Sequence, residues 1–336
     1  MLFSENLKKR LIQSTGLTES VIDTAWPAWW TEEAERSPSA RNELKFSIAR
    51  KLGLDPRTLE TELSPRFLWD GSLAKYKNFQ KAFKPDQPAI TSFGISISRL
   101  LLNATKENKE ELLVKHTPLQ LREMILATKP FVSLPDILSI AWGVGIPVIH
   151  LRIYPLSAKR MCAMAVNISK RHAILLARDA QYPAQVAFHL AHELGHVVLG
   201  HVLESQALVD MADYTDYLVN SDPEEKEADK FALELLTGLS EPQVLPIGEG
   251  NSAHQLASEC LRLAPEFSIE PGTLALCFAY STNKWAVAIR ALDFIYSNKN
   301  DVWNFINSHA IKEIAWSYMS DDNADYLRTV IGGQSK

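Results

Sequence analysis

The sequence predicts an α+β fold that is mainly helical and contains one short sheet. Helix caps and apolar periodicity dominate the first and the last parts of the chain. Between residues 146 and 177, short aliphatic runs are bounded by proline or turn residues, which is typical of strands. A long apolar pattern with a helical period follows at residues 182–203. The expected architecture is therefore a sheet-and-helix unit between an N-terminal and a C-terminal helical region.

The predicted N-terminal helical region spans residues 1–87. Within it, residues 48–60 (IARKLGLDPRTLE) have the alanine, glycine and leucine spacing of a helix-turn-helix. Arg57 favours contact with DNA phosphates, whereas Glu60 would repel them. Two interpretations of this segment stay open: direct contact with DNA, or a small packed helical domain.

The predicted central domain spans residues 88–240, and a linker-like stretch at residues 86–94 overlaps its start. Thr117 and Ser133 each precede a helical pattern as N-caps do. Residues 167–170 favour a turn, so the two strands beside them should form a hairpin. The expected elements are helices at 96–114, after 117 and after 133, strands at 146–153, 161–166 and 172–177, and helices at 182–203 and 222–237.

A second linker is expected at residues 238–251, where proline and glycine recur. Residues 252–336 follow as the predicted C-terminal helical domain. This last domain is rich in aromatic residues and shows no internal repeat.

Composition narrows the functional class. The chain has 35 Lys and Arg against 40 Asp and Glu, a net charge of -5, which disfavours a protein that coats nucleic acid. Its 3 cysteines lie far apart without a CxxC pair, which disfavours a disulfide framework and a cysteine metal site. The first residues do not resemble a signal peptide, and glycine and proline interrupt the longest apolar run at residues 137–151. We therefore expect a cytoplasmic protein that does not span a membrane.

The central motif of the chain is HELGH at residues 192–196. His192 and His196 are four residues apart on the expected helix, so both imidazoles lie on one face and can bind one metal ion. Glu193 points about 100° away. It is therefore expected to act as a general base toward water activated by the metal, and not as a ligand.

A third ligand must come from elsewhere, because catalytic zinc usually has three protein ligands and one open position. A third histidine six residues after His196 is ruled out, since Val202 occupies that position. Glu225 and Asp229 offer a carboxylate route, because they share a face of the next expected helix. Glu225 is predicted to bind zinc, and Asp229 to accept the outer N–H of a ligand histidine. The neighbouring Glu224 and Glu227 are expected to point elsewhere.

An HExxH pattern also occurs by chance, as an ordinary polar face of a helix. Here the motif lies in an apolar helix that would otherwise bury histidine and glutamate at a cost in free energy. Expected strands precede the motif and the ExxxD helix follows it, which together favour a zinc site. For an oxyanion-stabilising residue, no pattern selects among the candidates Tyr214, Tyr217, His254 and Arg290.

The residues 192–196 (HELGH) and 225–236 (EKEADKFALELL) resemble the ImmA/IrrE family of metallopeptidases. The stretch at residues 135–149, PDILSIAWGVGIPVI, is also similar, and the resemblance covers roughly residues 130–240. It implies a small zincin-like domain that cleaves a regulatory protein, often a helix-turn-helix repressor, in mobile-element control or stress response. Carried over to this chain, it implies three zinc ligands and a catalytic glutamate: His192, His196, Glu225 and Glu193. The long helical flanks depart from the family pattern.

Two functions follow from these observations. The first is a zinc-dependent endopeptidase that acts on a cytoplasmic regulator, such as a helix-turn-helix repressor or an antitoxin. The second is a non-catalytic regulator that uses the zinc fold as a sensing or binding platform and is associated with DNA or a partner. The intact Glu193 favours the first, because a platform has no need of a general base.

Overall fold

The computed structural model describes residues 2–60, 64–77, 85–105, 109–159, 161–211, 222–242, 252–296 and 301–333. Within them the fold is α+β and mainly helical, as predicted, with one five-stranded mixed sheet. No helix of these residues is long and apolar enough to cross a membrane.

The N-terminal part is a group of short helices that leads into the first strand. Gly53 ends α4 with a φ of 71°, and a Cβ there would lie 2.5 Å from the backbone oxygen of Ser92. Thr58 and Leu59, in the predicted helix-turn-helix, are buried in the core, while Arg57 is exposed and pairs with Asp55. Contact of this segment with DNA stays a prediction. The elements are α1 (Phe3–Thr15), α2 (Glu19–Ala25), α3 (Glu32–Arg36), α4 (Pro38–Leu52), α5 (Pro56–Glu60) and β1 (Ala74–Lys77).

The central part contains the predicted strands and most of the predicted helices. Thr117 and Ser133 both form capping boxes, with Gln120 and Asp136 respectively, as expected of N-caps. The elements are α6 (Gln87–Asn103), α7 (Glu111–Val114), α8 (Pro118–Leu126), α9 (Leu134–Gly143), β2 (Val148–His150), β3 (Ala163–Ile168), β4 (Arg171–Leu176), α10 (Pro183–Val198), β5 (Ala207–Asp210) and α11 (Pro223–Thr237).

Three expectations for this part are wrong. The linker-like stretch at residues 86–94 is the first half of α6, because its proline falls in the first turn, where a helix tolerates it. The helix expected at residues 96–114 ends at Asn103, and a separate α7 begins at Glu111. The helix expected at residues 182–203 ends at Val198, and Gly200 follows with a φ of 76° that a helix cannot continue.

The C-terminal part is helical, as predicted. Its helices are α12 (Ala253–Phe267), α13 (Pro271–Thr282), α14 (Trp285–Ile295), α15 (Val302–Glu313) and α16 (Asp321–Val330). The second expected linker lies largely outside the described residues, which stop at 242 and resume at 252.

The sheet has the strand order β1-β5-β3-β4-β2. β3 and β4 form the predicted antiparallel hairpin, and Ser169 and Lys170 adopt positive φ in its turn. β2 runs parallel to β4, and β1 runs parallel to β5. The sequence pattern does not predict β1 and β5, since each is four residues long and depends on its partner for pairing. β1 forms one edge of the sheet and ends beside the carboxyl end of β5.

The two faces of the sheet pack against different helices. On β4, Ile174 belongs to the core formed with α8 to α11, whereas the next residue, Leu175, belongs to the core formed with α6 and the N-terminal helices. The second core also includes Leu327 of α16, and the buried Lys51 of α4 pairs with Asp322 of α16 at 2.7 Å. Packing therefore joins both ends of the chain, and the division at residues 1–87, 88–240 and 252–336 stays a prediction.

Candidate metal centre

The HELGH motif lies on α10, whose apolar face packs against the sheet. His192, Glu193 and His196 are 2%, 1% and 0% exposed, so the whole motif is buried. The Nε2 atoms of the two histidines lie 3.0 Å apart, as expected for two imidazoles on one helix face. The helix geometry thus points two imidazole lone pairs toward one place.

Close packing of α10 and α11 brings the carboxylate of Glu225 to these histidines. At Gly195 a Cβ would lie 3.2 Å from both the Cα and the backbone oxygen of Ala228, so only glycine allows this approach without a shift. Glu225, 4% exposed, has Oε2 3.4 Å from His192 Nε2 and Oε1 3.3 Å from His196 Nε2. The ligand atoms of these three residues all lie within 4.8 Å of one another.

Two imidazoles and one carboxylate are a donor set that fits a metal ion with an open coordination position. A second observation supports this fit. Glu193 Oε2 is buried and has no hydrogen-bond partner among the described residues, although an unpaired buried carboxylate oxygen costs free energy. The site therefore leaves one carboxylate oxygen unpaired beside the three residues that could hold a metal.

Asp229 lies next to His192. Its Oδ1 is 2.8 Å from His192 Nδ1, the nitrogen that faces away from the ligand group. A carboxylate there can fix the tautomer and the ring orientation of a ligand histidine. The alternative carboxylates make other contacts: Glu224 pairs with Lys75 and Lys77, and Glu227 lies 3.1 Å from His201.

Sequence reasoning missed Lys77 at the end of β1. Its side chain is 4% exposed, and its Nζ lies 3.0 Å from Glu225 Oε1 and 2.6 Å from Asp222 Oδ2. A buried ammonium group therefore contacts a carboxylate of the ligand set. No motif contains this lysine, and only the unexpected pairing of β1 with β5 brings it to α11.

The pKa values of the two glutamates, Glu193 and Glu225, are shifted in opposite directions. Burial raises the pKa of Glu193 to about 8, and the negative charges of Asp210 and Glu225 act in the same direction. Burial also acts to raise the pKa of Glu225, but hydrogen bonds with His192 and His196 outweigh it and hold this pKa far below its usual range. Without a metal, Glu225 is thus ionised and Glu193 is held toward its neutral form.

The candidates for an oxyanion-stabilising residue gain no support. Tyr214 and Tyr217 lie outside the described residues. His254 contacts the ring of Phe294 edge-on, and Arg290 pairs with Asp293, so the contacts described for these two side chains do not reach the ligand group.

Residues 144–269 match the family model of peptidase M78, the IrrE N-terminal-like domain. The comparisons with curated proteins and with solved structures gave no match. The matched residues run from just before β2 to just after α12 and contain the HELGH motif and Glu225, so the predicted resemblance to ImmA/IrrE metallopeptidases is confirmed for this part of the chain. The match indicates a peptidase, whose substrate is a protein. β1, with Lys77, lies outside it.

Proposed function

We propose that the protein is a zinc-dependent endopeptidase that cleaves a cytoplasmic regulatory protein, such as a helix-turn-helix repressor or an antitoxin. The observation that carries this proposal is the buried Glu193 Oε2, which has no hydrogen-bond partner among the described residues and belongs to the residue next to His192 of the His192, His196 and Glu225 group. A domain that only recognises a partner has no reason to keep an unpaired carboxylate oxygen at that place, since burying one is costly.

Zinc is the ion that this donor set favours. Imidazole nitrogens suit zinc, and two histidines with one glutamate are a known catalytic zinc set that leaves a position open. Calcium and magnesium prefer sites built from oxygen ligands, which this group is not. A bound zinc ion supplies Lewis acidity toward a peptide carbonyl and toward water.

Glu193 then performs the proton transfers of hydrolysis. Its carboxylate takes a proton from the attacking water and passes it to the amine that leaves when the peptide bond breaks. Asp229 keeps His192 in the tautomer that turns Nε2 toward the ligand group, because it accepts the hydrogen on Nδ1. The negative charge of Glu225 supports cation binding without taking part in proton transfer.

The substrate class rests on the resemblance to ImmA/IrrE metallopeptidases, in which the targets are often helix-turn-helix repressors. The peptidase M78 match supports a protein substrate but does not choose the target. The alternative, a non-catalytic platform, would keep the metal and the fold but would not depend on Glu193.

Metal analysis and cleavage together test the proposal. We expect wild-type protein to carry about one zinc per chain, as a site with three protein ligands binds one ion, and His192→Ala to lose it. Wild type should also cut a purified helix-turn-helix repressor from the same organism, with the products identified by mass spectrometry. Equal zinc in wild type and His192→Ala would remove the metal site, and an intact repressor with zinc-loaded wild type would contradict the substrate assignment.

A further inference from the structure

His201 lies against the ligand His196 just after α10 ends. Gly200 takes a positive φ of 76°, and the chain turns back so that the His201 backbone N–H donates to the His196 carbonyl at 2.9 Å. This turn also places His201 Nδ1 2.8 Å from His196 Nδ1. The His201 side chain is only 8% exposed, so its ring is held in place beside the ligand ring.

The positions of the hydrogen atoms on these rings follow from the contacts. His196 Nε2 faces the ligand group, 3.3 Å from Glu225 Oε1, and must offer a lone pair to bind a metal. The hydrogen of a neutral His196 ring is then on Nδ1, which donates to His201 Nδ1. His201 must therefore carry its own hydrogen on Nε2, and this nitrogen lies 3.1 Å from Glu227 Oε2.

One assignment of tautomers thus satisfies every contact in the series from His196 through His201 to Glu227. The other ligand histidine has a simpler arrangement, in which His192 Nδ1 meets Asp229 directly at 2.8 Å. α11 supplies the final carboxylate in both cases. His201 thus connects the carboxylate of Glu227, which is 62% exposed, with the fully buried His196.

We propose that His201, oriented by Glu227, is a positioning residue that fixes the tautomer and the ring orientation of His196 for metal binding. This inference rests on the proposed function, in which His192, His196 and Glu225 hold the metal. Partners of this kind typically change metal affinity by about 10- to 100-fold when they are removed.

The metal-free protein should depend much less on His201. Without a metal, His196 can move its hydrogen to Nε2 and donate to Glu225 Oε1, 3.3 Å away. When the acceptor on His201 is removed, the ring N–H of His196 therefore still has a hydrogen-bond partner in the metal-free protein. A bound metal excludes this second tautomer, because it needs the lone pair of His196 Nε2. The cost of a His196 Nδ1–H without an acceptor therefore appears only when the ion binds.

His201→Phe is the decisive variant, since phenylalanine fills a similar space but cannot accept a hydrogen bond. We expect its zinc affinity, measured against a chelating indicator, to fall about 10- to 100-fold, while the melting temperature of the metal-free protein stays close to wild type. His201→Asn should recover part of the affinity, because its amide oxygen can accept from His196 Nδ1. His254→Phe, an exposed histidine on α12, is the matched control and should bind zinc as wild type does.

The outcomes separate the two claims. Wild type that binds no zinc would overturn the metal site and this inference with it. Wild type that binds zinc while His201→Phe binds within twofold of it would overturn the inference alone. A lower melting temperature of metal-free His201→Phe with unchanged zinc affinity would show that His201 only supports the fold, and would overturn the inference in the same way.

Discussion

Gly195 of α10 and Ala228 of α11 lie in close contact, next to the candidate metal site. A Cβ at residue 195 would lie 3.2 Å from the Ala228 Cα and equally close to Phe231 Cβ. His196 and Glu225 flank this contact, so the distance between the two helices fixes the distance between these two candidate ligands. Glycine at position 195 of HELGH is therefore explained by the close packing of α10 on α11, whatever the chemistry of the neighbouring residues.

Enlarging this contact should weaken metal binding and stability together. Gly195→Val must push α11 away from α10, and overpacking of this kind costs about 1–3 kcal/mol of unfolding free energy. We expect weaker zinc binding as well, because Glu225 moves with α11. Urea unfolding and a zinc titration measure the two effects. Gly143→Ala, with no atom within 4 Å of its added Cβ, is the control. Wild-type zinc affinity in Gly195→Val would contradict the argument.

Lys77 should stabilise the metal-free site more than the metal-loaded one. Its ammonium is the buried partner of Glu225 and Asp222, and removing one member of a buried ion pair costs about 3–5 kcal/mol. In Lys77→Met a bound cation can replace the missing charge, so zinc should raise the unfolding free energy by more than it does in wild type.

The control for this prediction is Lys75→Met on the same strand. Lys75 pairs with Glu224 and Asp222 but is half exposed and makes no described contact with Glu225. Exposed ion pairs contribute about 0–1 kcal/mol, so this variant should stay close to wild type with and without zinc. If Lys77→Met loses the same free energy in chelator and in zinc, the lysine has no special relation to the metal centre.

Asn307 of α15 should be essential for the stability of the outer strand β2. Its side chain accepts from the His150 backbone N–H at 2.7 Å and donates to the carbonyls of His150 and Ile331 at 2.7 and 2.8 Å. Asn307→Leu leaves these buried backbone groups unpaired, at about 1–3 kcal/mol each. Thermal unfolding should show a clear fall, whereas Asn304→Ala, exposed on the same helix, should change little. Equal melting temperatures for the two variants would refute this role.

Proteolysis tests the predicted domain division. The stretch at residues 238–251 carries Pro242, Pro246, Gly248 and Gly250, a composition that favours an exposed linker. Limited digestion should cut there first and leave two stable pieces. First cuts within residues 130–235 would show that the boundary is misplaced.

The candidate ligand group could be predicted from the sequence because the spacing of its residues is local. His192 and His196 are four residues apart on one helix, and so are Glu225 and Asp229, so helix geometry alone orients each pair. Helix geometry alone does not predict that α11 packs on α10. The ExxxD spacing nevertheless indicates Glu225 as the third candidate ligand.

The two site contacts that the sequence does not predict, those of Lys77 and His201, depend on how the chain folds back on itself. Lys77 reaches Glu225 only because a four-residue strand pairs with β5, and neither strand has enough length to show a period. His201 lies within the helix predicted at residues 182–203, and nothing in that pattern indicates a contact with His196. The early end of α10 at Val198 turns it back onto His196 instead.

The central claim, that Glu193 is the base of a peptidase, is tested most directly by Glu193→Gln. Glutamine keeps the size and one hydrogen-bonding oxygen but cannot take the proton, and losing a positioned general base costs about 10²–10⁴ in rate. The measurement is the rate at which zinc-loaded protein cuts a purified helix-turn-helix repressor from the same organism, with the exposed Glu204→Gln as control. We predict that Glu193→Gln binds zinc as wild type does, keeps its melting temperature and loses cleavage by that factor. Cleavage at the wild-type rate by zinc-loaded Glu193→Gln would contradict the account.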